Sequence, residues 1–266
     1  MSAVIQRGYV EAPSGQIHYR RAGQAGAPVL ILLHQTPSHS GMYEPLMAAL
    51  AADFELIALD TPGFGLSDAL PEPFTIAAAA GSIAAAAREL CADPCAWFGH
   101  HTGAALALQV ASDFPEQVRA LAMSGPCLLD EMLRTRLPQV AAKIEPQRDG
   151  RHLQALWQRL QAKDPDAPIA IIERELIAAL AAGDAYPAAY AAVVQVDTEA
   201  QLKALRCPSL VFAGTKDPLY PQLDAAYRLL ADGRKAEIEG ARTFVCERDV
   251  DRVAGLLKDF LGAHRV

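Results

Sequence analysis

The sequence has little of what marks nucleic-acid-binding and membrane proteins. Its 24 Lys and Arg residues are scattered among 31 Asp and Glu residues, which gives a formal net charge of −7. Because no basic stripe is available to neutralise phosphates, we expect neither a nucleic-acid partner nor an anionic membrane partner. The alanine-rich segment 76–87 is interrupted by Gly81 and Ser82 and is too short to span a bilayer.

Targeting, metal-binding and nucleotide-binding signals are also missing. Residues 1–7 do not combine a charged segment with an apolar stretch, so we expect no signal peptide and a cytoplasmic protein. The five cysteines show no metal-ligand spacing, and the close pair Cys91 and Cys95 is expected to be two buried thiols. The Gly63-Phe64-Gly65 segment is not followed by the lysine of a phosphate-binding loop. We therefore expect no metal and no cofactor.

Alternating strand and helix patterns indicate an α/β protein. The continuous apolar runs 28–34 and 54–60 predict strands that are buried on both faces of a sheet. Helical segments such as 75–91 separate the strands, and this alternation predicts a mostly parallel sheet with right-handed crossovers. The predicted strands are 8–11, 16–21, 28–34, 54–60, 95–98, 118–124, 208–214 and 235–239.

The pattern changes in the middle of the chain. Residues 128–204 show helical periodicity and no convincing strand, so we predict that they form a helical cap. Residues 1–127 and 205–266 then form the core. A cap inserted between two strands lies over the carboxyl ends of the strands, which is the edge where open α/β sheets bind ligands.

Four segments, in this order along the chain, resemble those of the α/β-hydrolase superfamily. The first two are His34-Gln-Thr-Pro37 and 60–68, and the last is 207–217 followed by Pro221. The third, Gly99-His-His-Thr-Gly103, lies between a strand and a helix, where that superfamily has its nucleophile elbow, Gly-x-Ser-x-Gly. The resemblance covers almost the whole chain. It implies an eight-stranded, mostly parallel sheet with helices on both faces.

The chain departs from the catalytic triad that this resemblance implies. Asp217 stands at the position of the acid, but His101 replaces the serine and Thr243 replaces the histidine. Acyl-enzyme chemistry through the elbow is therefore not expected. We expect Asp217 to reach His101 only through Thr243 or through a water molecule.

An elbow histidine suggests general-base catalysis. A neutral imidazole accepts a proton near neutral pH, and the resemblance implies an oxyanion hole built from the backbone N–H groups of Gln35 and Thr102. The expected substrate is a small carbonyl-containing or ester-like molecule. Hydrolysis by activated water and lyase or isomerase chemistry through proton abstraction both remain open, and His101 as a nucleophile or as a simple substrate contact is a weaker alternative.

Several side chains near this edge are candidate substrate contacts. We expect His34 mainly to orient the oxyanion loop and His100 to pack beneath the elbow. A catalytically inactive protein that binds a small ligand remains an alternative, as does an interaction module, and the oligomeric state stays open. The candidate contacts are His34, His39, Ser124, Cys127, Trp157, Tyr186 and Tyr190.

Overall fold

The sheet organises the whole chain. The computed structural model describes residues 3–71, 73–91 and 94–264. The strands are β1 (Gln6–Ala12), β2 (Gly15–Ala22), β3 (Val29–Leu33), β4 (Glu55–Leu59), β5 (Cys95–His100), β6 (Val118–Ser124), β7 (Ser209–Gly214) and β8 (Gly233–Ile238). In the described residues they form one eight-stranded sheet in the order β1-β2-β4-β3-β5-β6-β7-β8. β2 pairs antiparallel with β1 and β4, and all other neighbours are parallel. The predicted mostly parallel, eight-stranded sheet is confirmed.

Helices cover both faces of this sheet. They are α1 (Glu44–Leu50), α2 (Ile76–Leu90), α3 (Thr102–Asp113), α4 (Glu131–Val140), α5 (Arg151–Gln161), α6 (Ile169–Ala182), α7 (Ala185–Val193), α8 (Thr198–Ala204), α9 (Leu223–Leu229), α10 (Val245–Arg248) and α11 (Val250–Ala263). Successive residues of a strand point to opposite faces. Ile31 and Trp97 accordingly pack with α2 and α3, whereas Leu32 and Phe98 pack with α1 and α11.

Helices α4 to α8 follow β6 and precede β7, so the segment predicted as the cap is helical in the structure. The interior of this segment is an apolar cluster that includes Leu160 and Ile172 and extends to Phe64 and Phe244 of the core. In the described part of the chain, no single helix is long and apolar enough to cross a membrane. Among the described helices, the pair α6 and α7, which meet at a 93° bend, passes that test only when the two are taken together.

The turn between β5 and α3 depends on two glycines. A Cβ atom on Gly103 would lie 2.0 Å from the backbone oxygen of Leu33, and one on Gly99 would lie 2.1 Å from the backbone oxygen of Gly103. Both distances are shorter than any real Cβ contact, so the close approach of α3 to the sheet requires glycine at both positions. Helix α3 begins at Thr102, directly after His101.

A stability measurement tests this requirement. In Gly103→Ala the new Cβ atom collides with the backbone oxygen of Leu33. We therefore expect this change to lower the free energy of unfolding by about 1–3 kcal/mol. Gly81→Ala is the matched control, because Gly81 lies inside α2 and an added Cβ would meet no atom within 4 Å apart from the adjacent backbone of its own helix. There alanine is expected to raise stability by up to about 1 kcal/mol. Equal effects of the two changes in urea unfolding would contradict this account of the elbow.

Candidate active site

His101 occupies a strained backbone position at the elbow. Its φ of 50° and ψ of −114° make it the one non-glycine residue with positive φ among those described. Such a conformation costs on the order of 1–3 kcal/mol and is typical of functional sites. The Nε2 atom of its ring lies 2.8 Å from Oδ2 of Asp217. The expectation that Thr243 or a water bridges this pair is wrong, since the imidazole is longer than a serine side chain and reaches the acid directly.

The segment after β6 makes room for the ring. A Cβ atom on Gly125 would lie 2.5 Å from Cδ2 of His101, so a side chain there would displace the imidazole. Two residues further on, the Cys127 thiol donates a hydrogen bond of 3.2 Å to the backbone oxygen of His101. Burial, followed by the negative charge of Asp217, raises the pKa of Cys127 to about 12. Cys127 is therefore protonated at neutral pH and is a poor nucleophile.

Asp217 fixes the orientation and the tautomer of His101. Burial pushes the pKa of this carboxyl up, but His101 and the Leu219 backbone N–H, which donates to Oδ1 at 2.8 Å, outweigh it and lower the pKa overall. A carboxylate accepts, so the Nε2 atom of His101 carries the proton and Nδ1 keeps its lone pair. The His101 side chain is 17% exposed, and no described group is hydrogen-bonded to Nδ1.

His100 supports the elbow from below. Its Nε2–H donates to the backbone oxygen of Thr243 at 2.7 Å, and its Nδ1 accepts from the Ser124 hydroxyl at 3.0 Å. Burial, and then the neighbouring His101 ring at a centroid distance of 4.4 Å, lower the pKa of His100 to about 3. His100 is thus neutral. It ties β5, the end of β6 and the loop after β8 into one support.

His34 and His39 lie in the loop after β3 and are engaged with its backbone. His34 donates from Nδ1 to the oxygen of Gln35 at 2.9 Å and accepts at Nε2 from the N–H of Thr61 at 2.9 Å, and burial lowers its pKa. His39 accepts from the N–H of Gly41 at 3.0 Å, and burial lowers its pKa to about 4. Both bonding patterns hold the loop in shape.

A cavity of about 430 Å³ lies beside His101 and is lined in part by residues of α4, α5 and α7. Of the candidate residues, Thr102, Cys127, Tyr186, Tyr190 and Thr243 line it. Trp157 packs instead against the apolar cluster that includes Leu160 of α5 and Ile172 of α6. Ser124, His34 and His39 are also outside the lining. The lining residues are His101, Thr102, Cys127, Leu129, Leu133, Arg136, Leu137, Val140, Arg159, Ala162, Lys163, Tyr186, Tyr190, Val193, Pro218, Leu219 and Thr243.

Of the two expected oxyanion donors, Thr102 lines the cavity and Gln35 is outside the lining. Thr102 is the first residue of α3, and the first N–H groups of a helix have no partner one turn earlier. Gln35 is buried, and neither polar atom of its side chain has a hydrogen-bond partner in the described residues. Those residues also contain no group of three or more His, Cys, Asp or Glu side chains placed to hold a metal ion.

Several basic and apolar residues that line the cavity were not predicted from the sequence. In α4, Leu133, Leu137 and Val140 are spaced as one helix face, which is a signal that the sequence does contain. Arg159 and Lys163 had no such signal. Lys163 lies in the turn after α5, where the direction of its side chain depends on how helices α4 to α7 pack.

The chain belongs to the family described as alpha/beta hydrolase fold, whose model matches residues 28–245. An uncharacterized hydrolase of Saccharomyces cerevisiae is 31% identical over 51% of this chain and 48% of its own length. A pimeloyl-[acyl-carrier protein] methyl ester esterase of Xylella fastidiosa is 35% identical over 38% of each chain. The chain thus spans half or less of these relatives.

Solved structures match over nearly the full chain. A hydrolase from Pseudomonas aeruginosa PA01 has a TM-score of 0.81 at 20% identity and covers 97% of this chain and 98% of its own. The enol-lactonase from Burkholderia xenovorans LB400 also has a TM-score of 0.81 at 20% identity, over 96% of this chain and 100% of its own. These likenesses support the fold.

The low pKa values of the buried histidines predict acid sensitivity. The unfolded chain binds protons near pH 6.5 that folded His100 does not bind above about pH 3. The free energy of unfolding therefore falls as the pH drops from about 6.5 towards 3, by up to about 1.4 kcal/mol per pH unit for each such histidine. His100→Asn is expected to lower stability at neutral pH but to make this slope shallower in urea unfolding between pH 7.5 and 5. An unchanged slope would contradict the assignment.

Proposed function

We propose that this protein is an α/β-hydrolase-fold enzyme that acts on a small carbonyl-containing or ester-like substrate without a serine nucleophile. His101 acts as the general base. The observation that carries the proposal is the 2.8 Å contact from Nε2 of His101 to Asp217, on a residue that lines the cavity and whose Nδ1 has no hydrogen-bond partner in the described residues. The esterase and hydrolase names of the relatives support the choice of an ester-like substrate.

In the proposed reaction, Nδ1 of His101 removes a proton from a water molecule as the water oxygen attacks the carbonyl carbon. The N–H groups of Thr102 and Gln35 stabilise the negative charge that develops on the carbonyl oxygen. When the tetrahedral intermediate collapses, the bond to the leaving alkoxide breaks and the His101 imidazolium returns its proton to that oxygen. Asp217 stabilises the positive charge of the ring throughout.

Substitutions of the pair test this role. Both His101→Ala and Asp217→Asn are expected to lower kcat/KM about 10²- to 10⁴-fold. Asparagine donates to Nε2 and so places the proton on Nδ1, which removes the base without removing the ring. The measurement is hydrolysis of p-nitrophenyl acetate and butyrate, with Asp224→Asn as the control. Asp224 lies on α9, forms an ion pair with Lys235 of β8 and does not line the cavity.

Full turnover by the His101→Ala variant would overturn the proposal. Binding of a small ligand without any product, unaffected by Asp217→Asn, would identify a ligand-binding protein instead. Product analysis in ¹⁸O-labelled water separates the remaining reaction types. Hydrolysis transfers the label to the acid product, whereas proton abstraction in a lyase or isomerase does not.

A serine-directed probe tests the absence of a serine nucleophile. We expect no fluorophosphonate labelling of any serine in the wild-type protein, because the elbow carries no hydroxyl. Ser124 is buried and bound to His100, and Ser38 is buried in the loop after β3. Labelling is read by intact mass and mapped by peptide mass spectrometry. Modification of Ser38 or Ser124 would mean that the nucleophile lies there.

A further inference from the structure

The charge of the cavity is opposite to that of the chain. The protein has a formal net charge of −7. The cavity lining nevertheless includes Arg136, Arg159 and Lys163, and no Asp or Glu of the described residues belongs to it. An apolar chamber that contains unopposed cations favours a ligand with a negative charge.

Lys163 is the clearest of these cations. Its ammonium donates to the backbone oxygen of Thr36 at 3.2 Å and lies 3.5 Å from the Tyr190 hydroxyl. No described carboxylate is within 4.0 Å of it. The adjacent acid, Asp164, is buried and accepts from Arg248 at 2.6 Å, so it is engaged elsewhere. An ammonium has three donors, and one of them remains for a ligand.

Arg159 adds a second unopposed charge at the same end. It donates from Nη1 to the backbone oxygen of Ala142 at 2.8 Å and lies beside Tyr186. No carboxylate of the described chain forms an ion pair with Arg159. Its guanidinium has five N–H donors, so most of them are unused. Arg136 is exposed at the rim, where solvent screens its charge.

We propose that the substrate carries a carboxylate, as in the monoester of a short dicarboxylic acid. This inference rests on the function proposed above. The carboxylate binds Lys163 and Arg159, and the hydrocarbon chain lies against Leu133 and Leu137. Because Lys163 contacts the oxygen of Thr36, the carboxylate site adjoins the loop that supplies the Gln35 N–H. The proposed substrate is therefore a small molecule whose carboxylate and ester group are separated by a few bonds.

The surroundings favour a carboxylate over a phosphate. Phosphate sites commonly use successive backbone N–H groups at glycine-rich turns. The turn that contains Gly63 and Gly65 is not part of the cavity lining. A Cβ on Gly63 would meet Ala185, and one on Gly65 would meet the carboxylate of Asp60. An acidic group faces that turn, which opposes a phosphate there.

Binding of compounds that are not hydrolysed as esters tests the charge preference apart from turnover. The probes are the monoamide of glutaric acid, its uncharged match pentanamide, and inorganic phosphate, each measured by calorimetric titration. We expect the wild type to bind the acid at least about tenfold more tightly than pentanamide. Lys163→Met is expected to weaken acid binding about 10- to 100-fold, with Lys163→Arg retaining most of it. Arg151→Met, at the exposed start of α5, is the control and is expected to change nothing.

Turnover of monomethyl glutarate and methyl pentanoate separates this inference from the proposed function. Lys163→Met is expected to raise KM for the acid ester with a smaller change in kcat, because it removes binding common to the ground state and the transition state. Equal use of both esters, unaffected by Lys163→Met, would overturn the inference and leave the proposed function standing. Acid binding that depends on Lys163, without hydrolysis of either ester, would support the carboxylate site and overturn the proposed function. Preference for phosphate over the acid would also overturn the inference.

Discussion

The site depends on one hydrogen bond, between Nε2 of His101 and Oδ2 of Asp217. The elbow fixes the position of the His101 backbone, but an imidazole on that backbone still has several rotamers. The buried carboxylate selects one rotamer and one tautomer, and the missing side chain at Gly125 leaves space for the chosen ring position. Under the proposed function, a single residue thus stands at the usual position of the nucleophile while contacting the residue proposed as the acid.

The four histidines around the site differ mainly in what their nitrogens meet. His34 and His100 have both ring nitrogens engaged, and His39 accepts from its own loop. Burial lowers the pKa of all three, so they remain neutral and stabilise the surrounding backbone through hydrogen bonds. His101 alone among these four lines the cavity, with one nitrogen held by an acid. The proposed function therefore assigns the same residue type a structural or a chemical role according to its partners.

The fold could be predicted well from the sequence because local patterns of apolar and polar residues specify its strands and helices. Apolar runs marked β3 and β4, and the elbow and Asp217 lie where the resemblance put them. The contacts within the site were harder to predict. Whether His101 reaches Asp217 directly depends on a distance between two strand ends, which no local pattern records. Trp157 packs among helices α5 to α7 and Lys163 lines the cavity, and both positions depend on the packing of helices against one another.

The cations of the cavity also bear on the chemistry proposed for His101. A positive charge near the oxyanion loop favours the oxyanion, but it opposes the positive charge that forms on the imidazole when it takes a proton. Asp217 offsets that opposition from one side of the ring only. A bound carboxylate at Lys163 and Arg159 would offset it from the cavity side. An anionic substrate would then complete the electrostatic setting in which His101 works as a base, whereas a neutral ester of the same length would leave the cations unopposed during the proton transfer.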